Sequence, residues 1–385
     1  MTKKERRKLT ARWWIPVLGG AAACLILIIF VAETGFSYAS VFGGPVIYNR
    51  SGQSTSTVAT PPAATLDKAA YDTKLLALAH VASTSPWYRA FLAGTTTPLT
   101  AQGTATTTKT PKPVWPISRA YPNPDPIFPF NRVVAYYGNF YSTAMGVLGE
   151  YPEQQVMTML ASTSAKWQAS DPSTPVIPAI DYIAVTAQAS AGSDGMYRAR
   201  MPDSQIQKAV DMAQQLHGLV ILDIQVGKSN VQTEIPLLRK WLVLPNVELA
   251  IDPEFSMKDG SPPGIEIGTF DASDVTWTLN YMADVVKTYN VPPKFLVVHR
   301  FTEDMVTNYK KITPLPQVQV VMDMDGWGFP AKKVNTYQRV IAPEPVQFTG
   351  FKLFYKADLQ APDKRLMTPA EVLSLTPAPS FIQYQ

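Results

Sequence analysis

The chain has 385 residues, 46% of them hydrophobic and 17% charged, enough for one large folded domain with accessory segments. Net charge is +4, and six basic residues (Lys3, Lys4, Arg6, Arg7, Lys8 and Arg12) fall in the first twelve positions, so the remainder is near neutral and presents no concentrated basic face for a nucleic acid. A single cysteine, Cys24, excludes an intramolecular disulfide framework and a Cys-based zinc cluster, and three histidines (His80, His217 and His299) are too few for a His-rich zinc site.

Residues 13–32, WWIPVLGGAAACLILIIFVA, carry no charge. As a helix this run is about 30 Å long, the thickness of a bilayer's hydrocarbon core. A transmembrane helix is predicted there, with residues 1–12 as a cytoplasmic basic tip and Trp13 and Trp14 at the interface. Two alternatives place the remainder on the same side. One is a cleaved signal peptide, whose apolar region normally runs ~7–15 residues. The other is a lipoprotein signal acylated at Cys24, although AAAC lacks a leading Leu and LILIIF follows the cysteine. The expected localisation is a single-pass membrane protein, its amino end cytoplasmic and its folded part extracytoplasmic.

Residues 33–130 are dominated by Thr, Ser, Ala, Pro and Gly, as in STSTVATPPAATL and GTTTPLTAQGTATTTKTPKPVWP. Such composition predicts a disordered stalk. A short helix is expected near 65–83, with Ala69, Leu75, Leu76 and Leu78 along one side and His80 solvated.

From 131 to 385, short β-branched or aromatic runs alternate with amphipathic stretches. Strands are predicted at 132–138, 176–185, 218–226, 247–255, 294–301, 318–326, 348–356 and 380–385. The helical candidates between them are PEQQVMTMLASTSAKW, DSQIQKAVDMAQQL, NVQTEIPLLRKWL, DASDVTWTLNYMADVVKTY, TEDMVTNYKKI, PAKKVNTYQRVI and TPAEVLSL. This alternation predicts a (β/α)8 TIM-like barrel of the α/β class. The alternative, an open doubly wound sheet, lacks support because no GxGxxG or GxxxxGK[ST] motif opens a helix.

In such a barrel the chemistry lies at the carboxyl ends of the strands. Asp223 with Gln225, Asp252 with Glu254, and Asp323 with Asp325 are each two residues apart, so each pair shares a strand face. Glu254, Asp252, Asp223 and Asp325 are the candidate catalytic carboxylates. Tyr137, Asp181, Gln225, His299, Asp323, Trp327 and Lys352 are the candidate substrate-binding residues. Clustered carboxylates suit glycoside hydrolysis, where one carboxyl donates a proton and the other attacks or stabilises the sugar. Two alternatives stand beside it: a non-catalytic barrel that binds glycan or a partner protein, and a metal-assisted hydrolase with the four carboxylates as oxygen ligands. No cofactor and no dedicated metal site is expected. Arg198 and Arg200, in the long loop after the second strand, are within reach of an anionic group, and Tyr136, Tyr137, Trp327 and Tyr355 are candidates for stacking on sugar rings.

The IDPEF stretch resembles the end of the DxDxE signature of chitinase-like barrels, whose final Glu is the catalytic acid. Asp252 and Glu254 match, whereas the upstream acidic positions hold Ala250 and Glu248, with Pro253 intervening. More broadly, the run from YYGN through LGE, ILDIQ, AIDPEF, VVHRF, MDGWG and GFKLFY to FIQYQ resembles a group of uncharacterised, surface-anchored bacterial proteins. That resemblance implies a glycosidase-like barrel at the cell surface and a polysaccharide as partner.

Overall fold

The computed structural model describes residues 65–94, 114–117 and 119–385. The predicted basic tip, the predicted membrane span and most of the Thr/Pro-rich stretch lie outside the described residues. Among the described residues, no helix is long and apolar enough to cross a membrane.

Eight strands carry the fold: β1 (Arg132–Gly138), β2 (Val176–Ala187), β3 (Leu219–Ile224), β4 (Val247–Ile251), β5 (Lys294–Arg300), β6 (Val318–Met324), β7 (Phe348–Leu353) and β8 (Phe381–Tyr384). Each pairs in parallel with its neighbour in sequence, and β1 pairs with both β2 and β8. The sheet therefore closes on itself, which excludes the open doubly wound alternative and leaves a (β/α)8 barrel. Arg198–Arg200 adds a short antiparallel strand to the end of β2.

Strand alternation divides the core in two. Val134, Ile180, Val220, Leu249, Val298 and Val320 belong to the main apolar cluster that also takes in helix residues such as Leu160, Val210 and Leu279. The alternate positions fill the barrel. At its amino-terminal end Phe128, just before β1, packs at a tilt against Phe295 at 5.1 Å and Phe348 at 5.3 Å. The Gln319 amide brackets the Phe128 backbone, accepting from its N–H at 3.1 Å and donating to its carbonyl at 2.7 Å. That plug is apolar and fully bonded.

Three of the predicted helices differ, the first two for a local reason. NVQTEIPLLRKWL breaks into Val231–Glu234, a 3-10 turn Ile235–Leu238 and Arg239–Leu242. Pro236 has no N–H to give the Gln232 carbonyl. TEDMVTNYKKI forms 3-10 turns flanking a two-residue strand instead of an α-helix. There the Arg300 guanidinium draws in the carbonyls of Thr302, Glu303 and Val306, and Asn308 is left-handed (φ 57°). PAKKVNTYQRVI is α-helical only over Pro330–Thr336 and then widens to a π turn.

Within the stretch read as stalk, Lys68–Leu78 and Pro86–Leu92 are helices. Asp67 caps the first, accepting from Ala70 N–H at 2.9 Å. Its buried residues are Tyr71, Asp72 and Leu76, while Ala69, expected on that side, is exposed. Tyr71 packs edge-on against Tyr121 and Phe130, Lys74 donates to the Ser173 carbonyl, and the Leu78 carbonyl accepts from Ala378 N–H at 2.7 Å. This segment is thus tied to the barrel instead of standing apart. His80 is exposed, with Nε2 2.9 Å from the Leu375 carbonyl.

Candidate active site

Parallel register brings the polar residues of the interior together near the carboxyl ends of the strands. Tyr137 lies opposite Asp181, Ile183 opposite Asp223, His299 opposite Asp323, Asp323 opposite Gly350, and Lys352 opposite Gln383. Gly350 is needed there: a side chain on it would run into the Asp323 carboxyl and come within 2.9 Å of the Phe381 ring.

The contacts form one chain through the barrel. His299 Nε2 is 2.9 Å from Asp223 Oδ2. Its Nδ1 stands 3.3 Å from both Asp323 Oδ2 and Asp325 Oδ2, at ion-pair distance but out of line for a hydrogen bond. Asp325 Oδ1 is 3.1 Å from Lys352 Nζ, which lies 3.8 Å above the Tyr137 ring. Tyr137 OH accepts from Gln225 Nε2 at 3.1 Å, and Gln225 Oε1 takes the Ala187 N–H. On the far side, Asp181 Oδ2 accepts from Gln383 Nε2 at 2.6 Å. All of these side chains are buried.

Asp252 and Glu254 do not share a strand face as expected. β4 ends at Ile251, and Asp252 instead caps the 3-10 turn Pro253–Phe255, its Oδ1 accepting from Glu254 N–H at 2.9 Å. Pro253, lacking an N–H, ends the ladder and starts the turn. Glu254 is only partly buried, and its carboxyl takes no side-chain hydrogen bond or ion pair among the described residues. Its carbonyl accepts from Gly268 N–H at 2.7 Å, which fixes the turn to the following loop.

The environments push these groups apart. Burial, then the charges of Asp252 and Asp325, raise Glu254 to about 8. Burial raises Asp252 to about 7, with His299 opposing and Asp223 and Asp325 adding to the rise. Burial, followed by Asp223, takes Asp181 well above the carboxylate range, and burial also raises Asp323. For Asp325 burial acts upward too, but Lys352 and then His299 outweigh it and hold the carboxyl below its ordinary value. Burial opposes a charged His299 and a charged Lys352, yet the surrounding carboxylates win and raise both. Burial thus favours the neutral form of Glu254, after β4, and the Lys352 ammonium favours the charged form of Asp325, after β6.

Several other candidates lie outside these contacts. Trp327 stands outside the chain of contacts, 41% exposed, with Lys332 Nζ 3.9 Å from its ring. Tyr136 and Tyr355 are engaged with one another, OH to OH at 2.9 Å, and both pack around Tyr384. Arg198 and Arg200 both bind the buried Glu234, at 2.8 and 2.7 Å, and so pin their loop to the segment after β3. Among the described residues, no group of three or more His, Cys, Asp or Glu is arranged to hold a metal ion. A cavity of about 360 Å³ opens on the outer wall, between Pro330–Thr336 and Pro369–Leu373, and contains none of the candidate residues.

Three contributors carry little or no signal in the sequence. Gln383 is the one polar residue inside FIQY, and that alternation is its only mark. Lys333 and Asp358 carry no pattern. Lys333 Nζ, fully buried, binds the Gly326 and Lys352 carbonyls and Asp358, while Asp358 takes the Gly328 and Phe354 N–H groups. Burial lowers that lysine to about 8, and the pair staples the loops after β6 and β7.

No family model matches the chain, and no curated protein matches it. Among solved structures it is similar to a trimodular GH5_4 subfamily endoglucanase, at 8% identity and TM-score 0.37, covering 66% of this chain and 56% of that one. The match spans little more than half of the endoglucanase chain. It is also similar to a GH5-4 broad specificity endoglucanase from an uncultured bacterium (6% identity, TM-score 0.30, 58% and 77% covered). A GH18 chitinase from Pseudoalteromonas aurantia is similar at 8% identity and TM-score 0.24, with 66% and 94% covered. Likenesses this distant do not bear on what the present barrel does.

Proposed function

We propose that this chain is a membrane-anchored, extracytoplasmic glycoside-hydrolase-like enzyme acting on a cell-surface or wall polysaccharide. Glu254 is the proton donor and Asp325 the second carboxylate. The observation that carries this reading is the contrast in how the two carboxyls are held. Asp325 is paired with Lys352 Nζ at 3.1 Å, which favours its charged form, while Glu254, on the turn after β4, has no cation paired with it among the described residues and burial favours its neutral form. Near neutral pH one is an acid and the other an anion, the division of labour that glycoside cleavage needs.

In this reading the Glu254 carboxyl protonates the leaving glycosidic oxygen as its bond to the sugar carbon breaks, and water then adds to that carbon and returns a proton to Glu254. The Asp325 carboxylate faces the positive charge that develops on the sugar ring, while Lys352 keeps it ionised and in place. Asp252 holds the Glu254 backbone through its cap. Asp223, a candidate catalytic carboxylate by its spacing, is fully buried against His299 and in this reading supports the site together with Tyr137, Asp181, Gln225, His299 and Asp323. Trp327, exposed at the rim, stacks on a sugar ring. The uncharged run 13–32 behind a basic tip supports a single-pass anchor with the amino end cytoplasmic.

One observation favours a second reading, a non-catalytic barrel binding glycan or a partner: Asp223 and Asp325 are both engaged in ion pairs. Release of reducing sugar from a panel of wall glycans separates the two. The hydrolase reading expects turnover by the wild type and a loss of roughly 10²–10⁴ in Glu254→Gln, the usual worth of general acid catalysis. Equal activity in both proteins, or none in either on every glycan, ends it.

A further inference from the structure

We infer that Asp223 holds His299 as a doubly protonated imidazolium, and that this buried cation is the positioning group that fixes Asp325. The second half rests on the hydrolase reading; the first half does not.

The geometry leads there in two steps. Nε2 is 2.9 Å from Asp223 Oδ2, and in the inferred state it donates its proton to that oxygen. Nδ1 then faces Asp323 Oδ2 and Asp325 Oδ2, each at 3.3 Å. An Nδ1–H at ion-pair distance from both oxygens is attracted to them, whereas a bare nitrogen there is repelled by whichever carboxyl is ionised. The ring sits at 0% exposure, with no water-facing edge to relieve the conflict. Charge balance points the same way. The groups facing His299 are Tyr137 on β1, Asp181 on β2, Asp223 on β3, Asp252 and Glu254 after β4, Asp323 and Asp325 at the end of β6, and Lys352 on β7. Carboxyls outnumber the cations there, Lys352 among them and Lys333 acting on Asp323 and Asp325, so an imidazolium adds positive charge where it is short.

The consequence falls on Asp325. Lys352 approaches its two oxygens at 3.1 and 3.3 Å, and the His299 ring meets Oδ2 from a different strand. Held from two directions by cations carried on β5 and β7, the carboxylate has one orientation. Asp223 touches none of this directly; it acts through the imidazole, as a positioning residue. Asp223 and His299 thus support a third carboxylate, in place of the direct roles that spacing alone suggested.

Only three histidines occur in the chain, so ¹⁵N-histidine labelling of the full protein gives a spectrum of three resolvable rings. The expected result is that the His299 ring shows two N–H groups and imidazolium-type nitrogen shifts up to pH 8. In Asp223→Asn the same signals should convert to a neutral tautomer at a pH lower by one unit or more, a tenfold change in proton affinity. A wild-type ring that is already neutral at pH 7, with the proton on Asp323 or Asp325, overturns the inference. Activity tests the second half. His299→Gln should move the acid limb of kcat/KM upward by about one unit, because Asp325 loses a neighbouring cation, and rates at low pH should fall about tenfold. An unmoved acid limb in an active, folded variant overturns the positioning role. Absence of wild-type turnover on every glycan sinks the hydrolase reading and with it the positioning role, while the imidazolium is still decided by the spectrum.

Discussion

The two ends of the barrel interior use opposite chemistry. At the amino-terminal end Phe128, Phe295, Phe348 and Phe381 close the barrel with rings 5.1–6.3 Å apart, and the polar Gln319 has both amide atoms bonded. At the carboxyl end the same alternation delivers Asp181, Asp223, His299, Asp323, Asp325 and Lys352, and several of their atoms, including Asp181 Oδ1, Asp223 Oδ1 and both Asp323 oxygens, find no hydrogen-bond partner. A fold maximising stability would treat both ends like the first, since buried ionisable groups cost free energy unless fully paired. One end is therefore built to hold the barrel shut, and the other to keep charge in reserve.

The charged end is most exposed to test at Glu254. Glu254→Gln should remove roughly 10²–10⁴ of turnover while the fold survives. The sign of its stability effect is also fixed. A carboxyl raised in the folded state contributes stability below its ordinary pKa and loses it as pH climbs toward about 8. Glutamine does not ionise, so denaturant melts should show the variant gaining on the wild type between about pH 5 and 8, by about 1–3 kcal/mol at the upper end.

At the opposite end, Phe128→Ala should cost about 3–5 kcal/mol in chemical denaturation through the cavity it leaves, with the pH profile of any activity unmoved. Gly350 lies where the two ends meet. Gly350→Ala forces the Asp323 carboxyl and the Phe381 ring aside, and a loss of about 1–3 kcal/mol is expected by the same melts. A neutral outcome there would mean that the layer is looser than its contacts imply.

Smaller effects are expected at the rim. Lys352→Met removes the main cation lowering Asp325 and one of those lowering Glu254, so both limbs of the kcat/KM profile should move to higher pH. Trp327→Ala should leave stability within about 0.5 kcal/mol and raise KM severalfold. The weakest of these variants touches only the exposed ring.

How far the sequence spoke follows from the same contrast. The eight strands were legible because their residues are apolar on both faces and bounded by turns, and the barrel followed from their count. The carboxylates of β3 and β6 were legible because period-two spacing within a strand transmits direction. Asp252 and Glu254 also have that spacing, but β4 stops at Ile251, since Pro253 turns the chain and converts Asp252 into a cap. His299, Asp223 and Asp325 each stand out as candidates, but their order in one chain of contacts depends on barrel closure, which no local pattern encodes. Lys333 with Asp358, and Arg198 and Arg200 with Glu234, likewise meet only once the loops are folded. Long-range pairing of ordinary charged residues leaves no trace in composition or period.

The proposed chemistry requires Glu254 and Asp325 to be in opposite protonation states. Isotope-edited infrared titration of the full protein, with Glu254→Gln and Asp325→Asn as assignments, reads each one separately. At pH 7 a protonated C=O stretch should be present and vanish in Glu254→Gln, and an ionised carboxylate band should be present and vanish in Asp325→Asn. Two ionised carboxylates at that pH, or two protonated ones, would leave the barrel without its acid or without its anion and refute the proposed division of labour.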